Sequence, residues 1–496
     1  MRKLDIPAST EKLPEVLAFV SDNLSEMRCS SKERTQIEIA VEEVFTNIAS
    51  YAYSTDGGTA TVRVELLDEP ISVCIDFIDD GVPYDPLAKA DPNTKLALDK
   101  RQRGGLGIFM TKKYMDSVEY SYKDGHNVLT LRKRILRQPE VDFAKAVLIF
   151  FLATIHCFVE CSTDEQLWHG LPYFFDSVLG GPWAAPMFIF SMGIGLAFTT
   201  KNKAEDLLTR GLGLLVTGVV LNTFRFAIPS ILGYLITDDR AFYLDELPYR
   251  FFGNDLLQFA GLAMILMGFL KHLKLTTWKI FFVALGLNIV FSIFLNNLWF
   301  SNNVVNVLLG HIVGVDDGTE LVVSDFPLFI WFLLYASGLV FGEYLKTMKN
   351  KKKFYMWVSL PCFVVSVAVY IIEYHFRFGM MGGPGANVFY HLTTPELFIC
   401  IATEFAMLGF YYFICSKLTR KANDLIERIS RNVTNVYIIQ WVLVWWVANF
   451  FIYIIRGDKY LPEGITFVIG IVLSFASVAL AFVWQEYKER KKGQRV

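Results

Sequence analysis

In the stretch VDFAKAVLIFFLATIHCFVE, residues 141–160, Lys145 and His156 stand eleven positions apart. Eleven residues at 3.6 per turn make about three turns, so both side chains lie on one helix face, with Asp142 close to it. The rise between them is roughly 16 Å, about half of a bilayer's hydrocarbon thickness. An imidazole, whose ordinary pKa is about 6.5, is suited to taking a proton from a hydroxyl or an amine at neutral pH. An ammonium at the inner surface is suited to meeting a phosphate as a point charge. The pair therefore reads as a base deep in an apolar layer and an anion anchor at its edge. The other reading of His156 is a histidine hydrogen-bonded to a neighbouring helix, and His169 in LWHGLPYFFD is a second candidate base. Asp255 and Gln258 in GNDLLQFAGLA, three apart, are expected on one helix face within a span, either orienting substrate or base or joining helices as polar glue.

A second set of residues precedes these. In VEEVFTNIASYAY, residues 41–53, Glu43 and Asn47 are four apart and project together from a helix. The alternating strand ISVCIDFI leads into DDGVPYDP, which places Asp79, Gly81 and Pro83 in a D-x-G-x-P arrangement, and RGGLGIFMTKKYMD opens a helix with Gly104, Gly105 and Gly107. Taken singly, these are a solvated helix face, a turn and a tight bend. In this order they form the parts of one binding site.

The elements that must position these groups fall into two classes. The chain has 496 residues, of which 53% are hydrophobic, with 43 Phe and a mean hydropathy of +0.37. That is more apolar than ordinary soluble domains. Of its 96 charged residues, 40 lie in the first 135 positions, which marks a boundary near Leu136 and separates residues 1–135 from 136–496. The first part is expected to hold helices at about 10–25, 31–52 and 105–115 and strands at 60–67, 71–78, 116–122 and 127–134.

In the second part, apolar stretches near the roughly 20 residues that cross a bilayer recur ten times. They fall at about 142–160, 184–200, 211–231, 251–270, 278–297, 327–345, 354–373, 396–416, 435–455 and 464–485. With both termini inside, inner loops and tail carry twenty-one Lys and Arg against five outside, as the positive-inside rule requires. The N-terminal MRKLDIPASTEKLPEV lacks the apolar core of a signal peptide, so the first part is expected in the cytosol and the whole in the cytoplasmic membrane. A net charge of -2 without a basic tract gives no reason to expect nucleic acid as a partner, and the seven cysteines include no C-x-x-C pair.

Residues 1–135 resemble the GHKL ATPases, most closely the anti-sigma-factor serine kinase branch. The resemblance implies an α+β GHKL (Bergerat-type) ATP-binding sandwich in which Asn47 holds Mg2+ on the phosphates of ATP and Glu43 is the base. It also implies that Asp79, followed by Gly81, accepts from adenine, while the Gly105–Gly107 turn brings backbone N–H groups to phosphate. Pro83 stands where other branches carry glycine. Neither a phosphoacceptor-histidine helix nor a receiver segment accompanies the domain, which argues against a two-component histidine kinase.

Residues 140–485 resemble the membrane acyltransferase-3 group and the relatives of heparan glucosaminide acetyltransferase. In these families an acid, an arginine, ten residues and a histidine recur in the first helix. Here Lys145 takes the arginine's place. APMFIFSMGIGLAFTTK resembles the second-helix segment, GNDLLQFAGLA the fourth, and ISRNVTNVYIIQWVLV a late segment ending in Tyr then His, with Gln440 in the place of that histidine. The resemblance implies an all-α polytopic bundle of about ten helices. The implied activity is acetyl transfer from cytosolic acyl-CoA (acetyl-CoA) across the lipid bilayer to an extracytoplasmic glycan or lipid-linked sugar. The ATP-binding domain would then regulate it, with a cytosolic protein as a possible partner. The alternative is a membrane-anchored serine/threonine kinase or anti-sigma-type switch whose membrane part senses a signal. A nucleotide-gated transporter lacks the paired broken helices that fold would need.

Overall fold

The computed structural model describes residues 2–25, 31–53, 57–68, 71–88, 106–134, 138–181, 183–199, 201–294, 299–314, 324–348, 350–376, 391–415 and 417–493. The chain divides into two compact units, the first built on Met1–Pro139 and the second on most of Glu140–Val496.

In the first unit, strands β1 (Arg2–Pro7), β2 (Thr59–Asp68), β3 (Ile71–Asp79), β4 (Ser117–Lys123) and β5 (His126–Arg134) form one antiparallel sheet in the order β1-β2-β3-β5-β4. Period-two alternation sends Val62, Val64, Val73, Ile75, Phe77, Leu129 and Leu131 to one face. Helices α1 (Leu13–Ser25) and α2 (Ser31–Tyr51) cover that face. From α2 come Ile37, Val41, Val44, Phe45 and Ile48, a 3.6-period stripe that is fully or nearly fully buried. A third helix, α3 (Leu106–Tyr114), precedes β4. The one strand the sequence reading omits is β1. It is an edge strand whose only fully buried side chain is Ile6, so its alternation is weak.

The second unit is all-helical. Among the described residues, nine helical segments are long and apolar enough to cross a membrane: Pro139–Cys161, Gly170–Phe198, Ala204–Thr237, Thr277–Phe294, Leu328–Thr347, Lys351–Val369, Thr394–Cys415, Val433–Arg456 and Glu463–Lys491. The chain is a multi-pass membrane protein. The stretch expected as a tenth span at 251–270 is instead a 17-residue helix, Leu256–His272, about 26 Å long. It is shortened because Asn254 leaves the helical path to bond the Phe326 carbonyl at 2.7 Å and Asp255 caps the helix. A further short helix, Asn303–Val313, lies between predicted spans. Four segments, Phe174–Gly180, Thr223–Ala227, Val290–Phe294 and Trp446–Ile452, are π-helical turns, the local widening that is frequent where a helix carries function.

Candidate active site and nucleotide site

Helix α4 (Pro139–Cys161) carries His156 in its C-terminal third. The imidazole Nδ1 lies 3.0 Å from Oε1 of Gln440, which is fully buried in the helix Val433–Trp445. A carboxamide oxygen only accepts, so this contact places the proton on Nδ1 and leaves Nε2 with its lone pair. The ring stacks on Trp441, with centroids 3.5 Å apart and planes 18° from parallel. The guanidinium carbon of Arg225 lies 3.6 Å from the same indole, which is therefore held between imidazole and guanidinium. Arg225 is 8% exposed and sits in the Thr223–Ala227 π-turn. Its charge is met by Asp255, with Nη1 to Oδ2 at 2.6 Å.

Asp255 does not share a helix face with Gln258, as the spacing suggested. It is the N-cap, in extended conformation, of the Leu256–His272 helix and accepts from Leu256 N at 2.6 Å. A capping aspartate bonds orphan backbone donors, and here it also accepts from Tyr437 Oη at 2.8 Å. One carboxylate thus joins a helix start, Arg225 and Tyr437. Gln258 is buried one turn further on, against Gly218, where an added Cβ would approach its Cδ to 3.1 Å.

One turn beyond His156 on α4, Glu160 accepts from Asn449 Nδ2 at 3.0 Å and from Lys459 Nζ at 3.4 Å. At the other end of α4, Lys145 and Asp142 pair at 3.3 Å, and Ser430 Oγ donates to Asp142 at 2.5 Å. Lys145 is thus paired within its own helix. His169 is exposed at the N-cap of the turn Gly170–Tyr173, without a side-chain capping bond. Among the described residues it makes no hydrogen bond or ring contact with the His156 cluster.

Sequence reasoning missed Arg225, Tyr437, Trp441, Glu160 and Asn449. Arg225 was within reach, because an arginine in the middle of VLNTFRFAIP is an intramembrane ionisable residue and so a functional candidate by default. Tyr437, Trp441 and Asn449 carry no such mark, since aromatic and amide residues are ordinary span constituents.

In the first unit, Asp79 ends β3 and is buried. Its Oδ1 accepts from Gly81 N and from Asn127 Nδ2, both at 2.9 Å. Asn127 is oriented in turn by Tyr120 Oη, which donates to Oδ1 at 2.7 Å. Gly81 passes so close to Ala52 that an added Cβ would lie 2.4 Å from its carbonyl oxygen, which explains a glycine after this aspartate. Nearby, Tyr53 Oη accepts from Asp80 N at 3.0 Å, and burial raises its phenol above the ordinary range, with Asp79 and Asp80 adding to the rise. Glu43 and Asn47 are partly exposed on α2, as the spacing requires. A Cβ on Gly107 would lie 1.9 Å from Glu43 Oε2, so the first turn of α3 and this carboxylate share one cradle. Gly105 lies outside the described residues. No group of three His, Cys, Asp or Glu side chains capable of holding a metal occurs among the described residues.

Comparison with known proteins separates the same two parts. Residues 6–133 match the family described as histidine kinase-like ATPase domain, and residues 138–484 match the family described as acyltransferase domain. The second match spans more than half of the chain, so the chain belongs to the acyltransferase family, with a histidine kinase-like ATPase domain at its N-terminus. The N-terminal part is 32% identical over 104 residues to the serine/threonine-protein kinase BtrW of Bordetella bronchiseptica, covering 21% of this chain and 72% of that protein. It is 27% identical over 149 residues to the serine-protein kinase RsbW of Halalkalibacterium halodurans, covering 28% of this chain and 86% of that one. A Staphylococcus aureus RsbW is 26% identical over 140 residues, with 27% and 87% covered. The resemblances read from the sequence, an anti-sigma kinase-like ATPase domain fused to a membrane acyltransferase, are borne out.

Proposed function

We propose that His156 is the general base of acetyl transfer from cytosolic acetyl-CoA to a hydroxyl or amine of an extracytoplasmic glycan or lipid-linked sugar. The observation that carries this reading is the His156–Gln440 contact at 3.0 Å, which leaves Nε2 as the proton acceptor. Lys145, steadied by Asp142, lies roughly 16 Å along the same helix and is the point charge for donor phosphates, a separation that a pantetheine arm spans. Asp255 and Gln258 support the site from the neighbouring helix, Asp255 by fixing Arg225 and Tyr437. His169 is the rival base. In this reading the membrane is the cytoplasmic one, the short helix Leu256–His272 counts as a tenth crossing, and both termini face the cytosol.

The N-terminal domain, taken as 1–135 with the transferase as 136–496, binds ATP and sets the transfer rate. Asp79, with Gly81 behind it, receives the adenine, and the Glu43–Gly107 cradle and Gly105 adjoin the phosphates. Asn47 is the ligand this domain offers to Mg2+, which takes its remaining ligands from phosphate and water, consistent with the lack of a carboxylate cage among the described residues. A second reading is favoured by the kinase relatives, in which the domain phosphorylates a serine of a cytosolic protein.

The deciding experiment follows labelled acetyl groups into surface glycans of cells carrying wild type, His156→Ala or His169→Ala. Loss in the first and retention in the second supports the reading. Retention in His156→Ala removes it. Phosphorylation of candidate partners by the full chain with γ-labelled ATP tests the second reading.

A further inference from the structure

Glu160 stands four residues after His156 on α4, so both side chains lie on one helix face. A helical side chain leans back over the preceding turn, which brings the Glu160 carboxylate toward the imidazole. Its two oxygens are used unequally. Oε2 accepts from Asn449 Nδ2 at 3.0 Å and from Lys459 Nζ at 3.4 Å. Oε1 has no hydrogen-bond partner among the described residues, yet it is not a sealed atom, and the side chain keeps 10% of its surface exposed. His156 Nε2 has the same standing, unbonded among the described residues and open, on a residue that is only partly buried. A carboxylate this buried with one bare oxygen has given up water without replacement, and a donor that arrives with the acceptor restores the bond. Two open acceptor atoms on side chains about 5–6 Å apart at Cβ suit a molecule with two neighbouring donors.

Resting on His156 as base, we infer that Glu160 Oε1 selects the acceptor by receiving a second hydroxyl or amine N–H, adjacent to the group that His156 deprotonates. The acceptor class is thereby narrowed to compounds with vicinal donors, as a sugar ring provides, and simple alcohols are disfavoured. In the step, the reacting oxygen or nitrogen bonds to the thioester carbonyl carbon as its proton passes to His156 Nε2. The C–S bond then breaks, and the thiolate leaves with that proton. The second donor keeps its proton throughout and only hydrogen-bonds to Glu160. Asn449 and Lys459, by holding Oε2, fix the plane of the carboxylate and so aim Oε1. Glu160 is thus a binding residue for the acceptor, and Asn449 and Lys459 are positioning residues behind it.

The test uses the full chain in lipid nanodiscs with acetyl-CoA and two probe acceptors that differ by one hydroxyl, trans-1,2-cyclohexanediol and cyclohexanol. Wild type is expected to favour the diol in kcat/KM by roughly 10- to 100-fold, the usual worth of one hydrogen bond to an ionised group, with most of the difference in KM. Glu160→Met is expected to bring the ratio within threefold. Lys459→Met breaks the same ion pair but leaves the carboxylate, and is expected to keep a diol preference of at least tenfold. The double variant Glu160→Met/Lys459→Met leaves no unpaired buried charge and serves if Glu160→Met folds poorly. A diol preference in Glu160→Met equal to that of wild type would overturn the proposal and reduce Glu160 to a join between helices. So would loss of the preference in Lys459→Met to the same degree as in Glu160→Met. His156→Ala separates this inference from the base assignment, because saturation-transfer NMR reads diol binding without turnover. It is expected to lose transfer to both probes while keeping the stronger diol signal, which Glu160→Met loses. Full transfer in His156→Ala would fail the base assignment whatever Glu160→Met does.

Discussion

The imidazole of His156 lies flat on the indole of Trp441, with 3.5 Å between ring centroids. On the indole, 3.6 Å from its ring, rests the guanidinium of Arg225. A planar side chain gripped this way holds its neighbours by contact with both faces, which suits a base that must not rotate away from its substrate. Stacked aromatic pairs contribute about 0.5–1.5 kcal/mol and desolvated cation–π contacts up to about 2 kcal/mol.

Trp441→Leu removes both contacts. A loss of about 1–3 kcal/mol of positioning corresponds to a roughly 10- to 100-fold fall in transfer rate. Trp441→Phe, which restores a ring, is expected to recover most of it. Single-turnover rates on acetyl-CoA check this, and a rate unchanged in Trp441→Leu would show that the imidazole needs no such support.

Arg225 and Asp255 make a buried pair at 2.6 Å. Removing one partner leaves the other charge buried alone, which typically costs about 3–5 kcal/mol. Arg225→Met and Asp255→Asn are each expected to lower the thermal midpoint in detergent sharply. The double variant should lose less than the sum of the two, because neither charge then remains. Strict additivity would mean that the two residues act independently.

How much of this was legible beforehand depends on the kind of signal. The sheet of the first unit and α2 follow from period-two and period-3.6 alternation, which burial enforces on residues such as Ile75, Phe77, Val41 and Phe45. The Lys145–His156 stripe follows from helix geometry alone. The rest of the site is not local. Gln440 and Trp441 reach His156 across 284 or more positions, and no periodicity records which distant face meets which. Asp255 misled for another reason. Its spacing to Gln258 fits a helix face, but an aspartate just before an apolar run is equally a cap, and capping satisfies the orphan N–H groups that a continued helix would not.

Gly107 tests the nucleotide site without unfolding it. The atoms that an added Cβ would meet belong to the carboxylate of Glu43, the far end of a flexible side chain. Gly107→Ala should therefore displace Glu43 and leave the backbone in place, while alanine in a helix gains about 0.5–1 kcal/mol over glycine. The expected outcome is an unchanged or slightly raised thermal midpoint together with nucleotide affinity at least tenfold weaker, measured by titrating the full chain with a non-hydrolysable ATP analogue. Unchanged affinity would separate the Glu43 cradle from nucleotide binding.

Glycines of the second unit divide by what surrounds them, and the division makes a prediction of opposite signs. Gly193 in Ala185–Phe198 and Gly338 in Leu328–Thr347 bring two helices into backbone contact: an added Cβ would lie 2.1 Å from the Tyr335 carbonyl oxygen and 2.0 Å from that of Phe190. Small residues allow this approach, which is how helices gain packing energy where lipid is as apolar as their side chains. Backbone cannot swing aside as Glu43 does, so the helices must part. Gly193→Ala and Gly338→Ala are each expected to cost about 1–3 kcal/mol, the usual penalty of overpacking. Gly195, two positions along the same helix, has nothing within 4 Å of an added Cβ. Gly195→Ala is expected to gain about 0.5–1 kcal/mol from helix entropy alone. Thermal unfolding of the three variants in one detergent decides the matter. Equal midpoints for Gly193→Ala and Gly195→Ala would mean that the close helix crossing at Gly193 and Gly338 is not what holds these spans together.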